Sequence, residues 1–201
     1  MIYIISTVVL SFLGAFTFVP KFREFFERYA IGVNFFLTLV ATLVGVLLAI
    51  SITNYESQQQ EKQDVIKLLK SAITSVESCY EYSEELIKYY DNLPEGDELK
   101  PDFYLKNPPP YPDYLDTFLT QNIVSKNISG SSLNGLTEYS INLKRSQNIE
   151  ASLYLTVLSH TKALLELEVA YQNGQIDNTK LNNELASLRT TLATERDNAN
   201  L

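Results

Sequence analysis

The side chains able to do chemistry are few, and their spacing does not assemble a reaction centre. The chain has one histidine, His160, and one cysteine, Cys79. One His and one Cys without clustered acidic companions fall short of the four ligands that zinc takes. A lone cysteine forms no intrachain disulfide. Cys79 falls in an apolar helical pattern and reads as a small buried side chain rather than a reactive thiol. His160 lies mid-helix beside Ser159 and Lys162 and reads as structural. The acidic pairs Glu84–Glu85 and Glu166/Glu168 read as solvated helix faces rather than a carboxylate dyad. There is no P-loop, dinucleotide fingerprint, nucleophile elbow or H-E-x-x-H. Asn127-Ile128-Ser129 matches a glycosylation acceptor, a pattern common by chance. The expectation is a chain that is not an enzyme, with no catalytic, cofactor-binding or metal-binding residues.

Polar groups of a second kind lie inside an apolar stretch. Ile31–Thr53 runs 23 residues without a charge. About 20 apolar residues at a rise of about 1.5 Å span a bilayer core, so this stretch is expected to cross a membrane. Within it Ala41, Gly45 and Ala49 form a small-xxx-small row that lets another helix approach closely. Thr38, Thr42 and Ser51 are expected near the same side, and with Asn34 the two threonines are the polar groups that could face water. This face reads first as helix packing, and second as the lining of a water-filled path in an oligomer. No Asp, Glu, Lys or Arg lies inside the span, which argues against a proton relay.

The elements around it follow from composition. Met1–Val19 is also free of charge and lacks a basic leader and a cleavage site, so it reads as a first membrane helix rather than a signal peptide. Pro20 ends it. In the next segment Phe22, Phe25, Phe26 and Tyr29 recur at one helical face, with Lys21, Arg23, Glu24, Glu27 and Arg28 elsewhere. This is expected to be an amphipathic elbow over residues 20–30 in the headgroup region. The domain plan is a transmembrane hairpin, 1–54, and a soluble α-helical bundle, 55–201. Net charge is −8 overall. Residues 1–54 carry three cations and two carboxylates, which leaves −9 for the bundle. That balance excludes general nucleic-acid binding, which needs clustered Lys and Arg. Basic residues flank the second span on both sides, so charge does not orient it. The single Cys and the absence of export features place the bundle in the cytosol.

The fold class expected is all-α. From Glu56 to Tyr90 there is no Gly or Pro, and Val65, Leu69, Ala72, Val76, Cys79 and Leu86 keep a helical period. The second span should therefore continue as one rod through the polar neck Gln58–Gln63. Asp91–Pro112 is a Pro/Tyr-rich loop, with Pro108-Pro109-Pro110 in polyproline II. It is expected either to pack over the bundle or to meet a partner. A helix capped by Asp113 should run Tyr114–Ser125. Ser129–Ser132 reads as a break, followed by helices Leu133–Gln147 and Ile149–Tyr171, the latter stopped at Asn173-Gly174. A last helix starts at Asp177 or Asn178. Its Leu181, Leu185, Leu188 and Leu192 repeat over two heptads, too short for a coiled coil and suited to docking on the bundle.

The hairpin, the exit sequence GVLLAISITNYESQQQEK (Gly45–Lys62) and the small helical domain together resemble bacterial membrane effectors of anti-phage defence, most closely the channel effector of Hailong-type systems. The resemblance is one of architecture and implies a homo-oligomer, a tetramer by analogy, in the bacterial inner membrane. It implies a gated channel that disrupts the membrane potential when the helical domain senses a signal. It also implies a soluble signalling protein or its nucleotide-derived product as partner. The ligand-binding residues stay unknown at this point. The acidic domain speaks against nucleic-acid sensing unless Lys126, Lys144, Arg145 or Lys162 form a local basic pocket. The alternative reading is a membrane-anchored binding or scaffolding module without transport activity.

Overall fold

A computed structural model describes residues 29–147 and 151–199, together with Ile5, Thr7, Val8, Phe12 and Ala15. The described residues form seven well-defined α-helices and no strand. The first expected span, Met1–Val19, and the elbow with Phe22, Phe25 and Phe26 lie outside the described residues, apart from those five positions and Tyr29. The chain divides into two compact units, Met1–Gln60 and Glu61–Leu201.

Helix α1 runs unbroken over 62 residues, Ala30–Asp91. Its first part is apolar and exposed: Ile31 is 89% and Phe35 72% accessible. It is long and apolar enough to cross a membrane. A core helix of a soluble protein would bury such residues. Beyond the neck the pattern inverts. Val65, Leu69, Ala72 and Val76 are fully buried at spacings of four, three and four, so one stripe of the helix enters the core of the second unit. The helix stops where Asn92 turns its side-chain amide onto the Lys88 carbonyl at 2.8 Å. Gly96 follows with φ +86°, a conformation that only glycine adopts without strain.

The loop holds one short helix, α2 (Phe103–Lys106), and is tied down rather than free. Phe103 is buried and its ring lies 5.4 Å from Tyr90 and 5.7 Å from Tyr89. Pro109 and Pro112 are buried. The Tyr154 hydroxyl donates to the Pro110 carbonyl at 2.7 Å, and the Gln147 amide donates to the Pro109 carbonyl. The strap therefore packs on the bundle, the first of the two expectations.

The expected helix Tyr114–Ser125 is two helices, α3 (Asp113–Thr120) and α4 (Asn122–Asn127), separated by an extended Gln121 at ψ 129°. The reason is burial. In one continuous helix Phe118 and Val124 would point about 120° apart, yet both are fully buried. The kink at Gln121 aims both inward. Asp113 lies inside α3 and makes no side-chain cap bond, since Pro112 holds the N-cap position.

Helix α5 (Gly130–Ser146) starts within the expected break, because Ser129 is its N-cap and accepts the Ser132 N–H at 3.1 Å. Helix α6 (Ala151–Gln172) ends in a Schellman turn. The Gly174 N–H meets the Tyr171 carbonyl and the Gln175 N–H meets the Ala170 carbonyl, both at 2.9 Å, with Gly174 at φ +72°. Helix α7 (Asn178–Ala199) is capped by Asp177, whose carboxylate accepts the Lys180 N–H at 2.7 Å. Its Leu181, Leu185 and Leu192 are buried in the common core. Gly135 lets α5 and α6 approach closely: a Cβ there would sit 2.7 Å from Leu164 Cδ1.

Candidate functional site

The candidate residues of the apolar segment all lie on α1. At about 100° per residue, Asn34, Thr38, Ala41, Thr42, Gly45 and Ala49 fall within one arc of roughly 100° on α1, and all six are exposed. A Cβ at Gly45 would meet nothing within 4 Å among the described residues, so the small-residue row is open to another surface. Thr38 donates its hydroxyl to the Asn34 carbonyl at 2.9 Å, and Thr42 donates to the Thr38 carbonyl at 2.8 Å. Both hydroxyl protons are used within the helix itself. Tyr29, the described member of the elbow, is 54% exposed.

In the second unit the four cations proposed for a basic pocket do not come together. Lys144 reaches the Asp116 carboxylate at 2.6 Å and lies over the Tyr111 ring. Asp116 also accepts from the Tyr111 hydroxyl at 2.8 Å. Burial pushes the Asp116 carboxyl upward, but hydrogen bonds from Lys144 and Tyr111 and the Lys144 charge outweigh it, so the group titrates below the usual carboxylate range. Lys162 pairs with Glu77 at 2.7 Å, at a groove between α1 and α6 also lined by Tyr80 and Glu81. Lys126 is exposed.

Arg145 instead joins two arginines that sequence reasoning passed over. A cleft of about 280 Å³ lies among α5, α6 and α7. Helix α5 contributes Glu138, Asn142 and Arg145, and α7 contributes Arg189, Leu192 and Arg196. Each set is spaced at i, i+3 or i+4, and i+7, one stripe per helix. Leu153 and Val157 of α6 supply an apolar floor. Arg189 Nε lies 3.2 Å from Glu138. Arg196 lies 3.2 Å from its neighbour Asp197. Arg145 makes no hydrogen bond or ion pair with a described residue. The recoverable signal was the Arg189–Arg196 spacing beside the leucine seam.

Glu168, His160 and Cys79 lie in the packed interior of the bundle. Glu168, expected on a solvated face, is fully buried, which corrects that reading. Its carboxylate accepts the Ser129 N–H at 3.1 Å, the Ser129 hydroxyl at 2.9 Å and the Gln172 amide at 2.8 Å. A solvated partner, Glu166, is 55% exposed. The buried carboxylate holds the N-terminus of α5 against α6, where the helix dipole favours negative charge. His160 is nearly buried, with Nδ1 2.9 Å from the Thr156 carbonyl and Nε2 3.6 Å from Glu195 of α7. Cys79 is buried, and burial first, then the Asp113 charge, raises its thiol above the ordinary value. No cluster of three or more His, Cys, Asp or Glu able to hold a metal occurs among the described residues. Comparison of the chain with protein-family models, curated proteins and solved structures finds no match.

Proposed function

We propose that this chain is a non-enzymatic, oligomeric membrane effector whose helical bundle senses a signal and controls a gated path through the inner membrane. The observation that carries the reading is α1. One helix holds both the charge-free exposed segment Ile31–Thr53 and the core stripe Val65–Val76 without interruption. On this reading a signal that repacks the bundle around that stripe acts on the same helix that meets lipid. The bundle is cytosolic on the same reading, and copies associate through the Ala41–Gly45–Ala49 row, as a tetramer by analogy. The role in anti-phage defence, with a soluble signalling protein or its nucleotide-derived product as activator, follows the architectural resemblance.

A second reading has its own support. The hydroxyls of Thr38 and Thr42 are bonded within α1, as in a helix that only anchors a binding module. One experiment separates the two. Residues 1–53 are replaced by an unrelated apolar hairpin, and membrane potential is followed with a voltage-sensitive dye in expressing cells alongside neighbouring signalling genes. The effector reading expects depolarisation by the native chain and none by the hybrid. Equal activity of both, or no depolarisation by the native chain under any condition, returns the anchored module.

A further inference from the structure

The cleft among α5, α6 and α7 collects three arginines within an otherwise acidic bundle. Three guanidinium groups, Arg145, Arg189 and Arg196, face it with one lining carboxylate, Glu138. Counting Asp197 beside Arg196, the local balance among the described residues is still +1, in a chain of net charge −8. Among the described residues Glu138 pairs with Arg189 and Asp197 with Arg196. Arg145 pairs with no carboxylate among the described residues. Beneath the arginines the wall is apolar, from Leu153, Val157 and Leu192.

We infer that this cleft binds a small phosphomonoester with a compact apolar body, the phosphate held by Arg145 and Arg189 and the body seated on Leu153, Val157 and Leu192. The inference deepens the sensing role proposed for the bundle and rests on that reading for its biological meaning. The chemistry selects the class. A guanidinium fork matches phosphate oxygens in paired hydrogen bonds, and a phosphomonoester brings a charge of about −1.5 to −2 at neutral pH. An acidic rim would reject the ligand; this rim is the exception in an acidic domain. Size limits the ligand as well. About 280 Å³ is at the small end of ligand sites, which run roughly 300–1,000 Å³, so it holds one small molecule. Binding would bridge α5 to α7, drawing Arg145 and Arg189 to one phosphate and releasing Glu138. That converts ligand occupancy into a fixed position of the terminal helix.

The test uses the full-length chain in mild detergent, with phenyl phosphate titrated by calorimetry at low ionic strength. Inorganic phosphate and phenol serve as half-ligands. The expected result is saturable binding of phenyl phosphate, at least about tenfold tighter than either half-ligand. Arg145→Glu and Arg189→Glu each weaken it by roughly tenfold or more, as loss of a charge-assisted pair predicts. Glu138→Gln, which removes the carboxylate competing for Arg189, tightens binding, and weaker binding in this variant overturns the proposal. Lys126→Glu changes the same net charge elsewhere and leaves it within about twofold. Absence of saturable binding overturns the proposal, as does full binding by Arg145→Glu, an exposed position whose change breaks no observed contact. Equal loss in Lys126→Glu also overturns it, by reducing the effect to net charge. Equal affinity for inorganic phosphate overturns the apolar half. The readout needs no membrane activity, so a chain that binds but never depolarises cells keeps this site and loses the effector reading.

Discussion

Replacing Glu168 with alanine should destabilise the bundle more than any change at an exposed carboxylate. Three donors converge on this fully buried group. Alanine leaves the Ser129 N–H and hydroxyl and the Gln172 amide without their acceptor, inside a packed core. A hydrogen bond to a charged group is worth about 1.5–3 kcal/mol, and stranded buried donors add to the loss. Against this, burying the carboxylate itself carries a desolvation penalty that alanine removes. The three bonds share one group and do not sum, and alanine leaves neutral donors rather than an unpaired charge, so the net loss expected is about 2–4 kcal/mol. For a chain of this size that corresponds to a fall in Tm of roughly 4–16 °C. Glu168→Gln keeps one carbonyl acceptor for the Ser129 N–H and should lose about 1–2 kcal/mol. The assay is thermal unfolding by circular dichroism in detergent, with amide exchange across Ser129–Ser132 as the local readout. Glu168→Ala should release protection at the start of α5 before the Schellman turn of α6 opens. A loss under about 1 kcal/mol, or identical behaviour of the alanine and glutamine variants, would refute the account of this carboxylate as the clamp between α5 and α6.

Three further outcomes follow from the same packing. Gly135→Ala adds a methyl 2.7 Å from Leu164 Cδ1. Overpacking of about 1–3 kcal/mol outweighs the gain of about 1 kcal/mol in helix propensity, so Tm falls by a few degrees instead of rising. For Asp116, the folded-state titration is depressed. Its contribution is present above the unfolded value of about 3.9 and lost as pH falls through the lower folded value. Asp116→Asn should therefore flatten the acid limb of a stability–pH curve below about pH 4, with only a small effect at neutral pH because the pair with Lys144 is half exposed. The Tyr154 hydroxyl is raised above its ordinary value, by burial first and then by nearby Cys79, Tyr111 and Asp113. Its native state stays neutral, so stability is full below about pH 10 and declines above it. Tyr154→Phe should flatten that alkaline limb and cost about 1–2 kcal/mol at neutral pH, through the lost bond to the Pro110 carbonyl.

The periodic parts of this chain were legible in its sequence. Val65, Leu69, Ala72 and Val76 announce α1 beyond the neck, and Asn173-Gly174 marks the end of α6 because a Schellman turn needs a residue that tolerates positive φ. The leucine repeat at 181, 185, 188 and 192 marks the docked face of α7. What failed depends on tertiary contact. The kink at Gln121 exists because Phe118 and Val124 both seek one core, and no local residue signals it. Ser129 looked like part of a break because its role as N-cap depends on which following residues fold into α5. Glu168 looked solvated because its donors come from Ser129, 39 residues away, and Gln172. The cleft was missed for the same reason: Arg145 and Arg189 lie on different helices, and only folding places them at one opening. Charge counting gave the right global sign and hid this local reversal.

The most direct test of the effector account is the oligomeric state of the full-length chain in mild detergent, by light scattering corrected for bound detergent. One chain of 22.8 kDa, with one or two apolar helices, cannot enclose a path for ions by itself. The account predicts one discrete closed oligomer, a tetramer with a protein mass of four times 22.8 kDa, which disperses when Gly45 in the small-residue row is replaced by leucine. A monomer at all concentrations would contradict it and leave α1 as an anchor for a binding module.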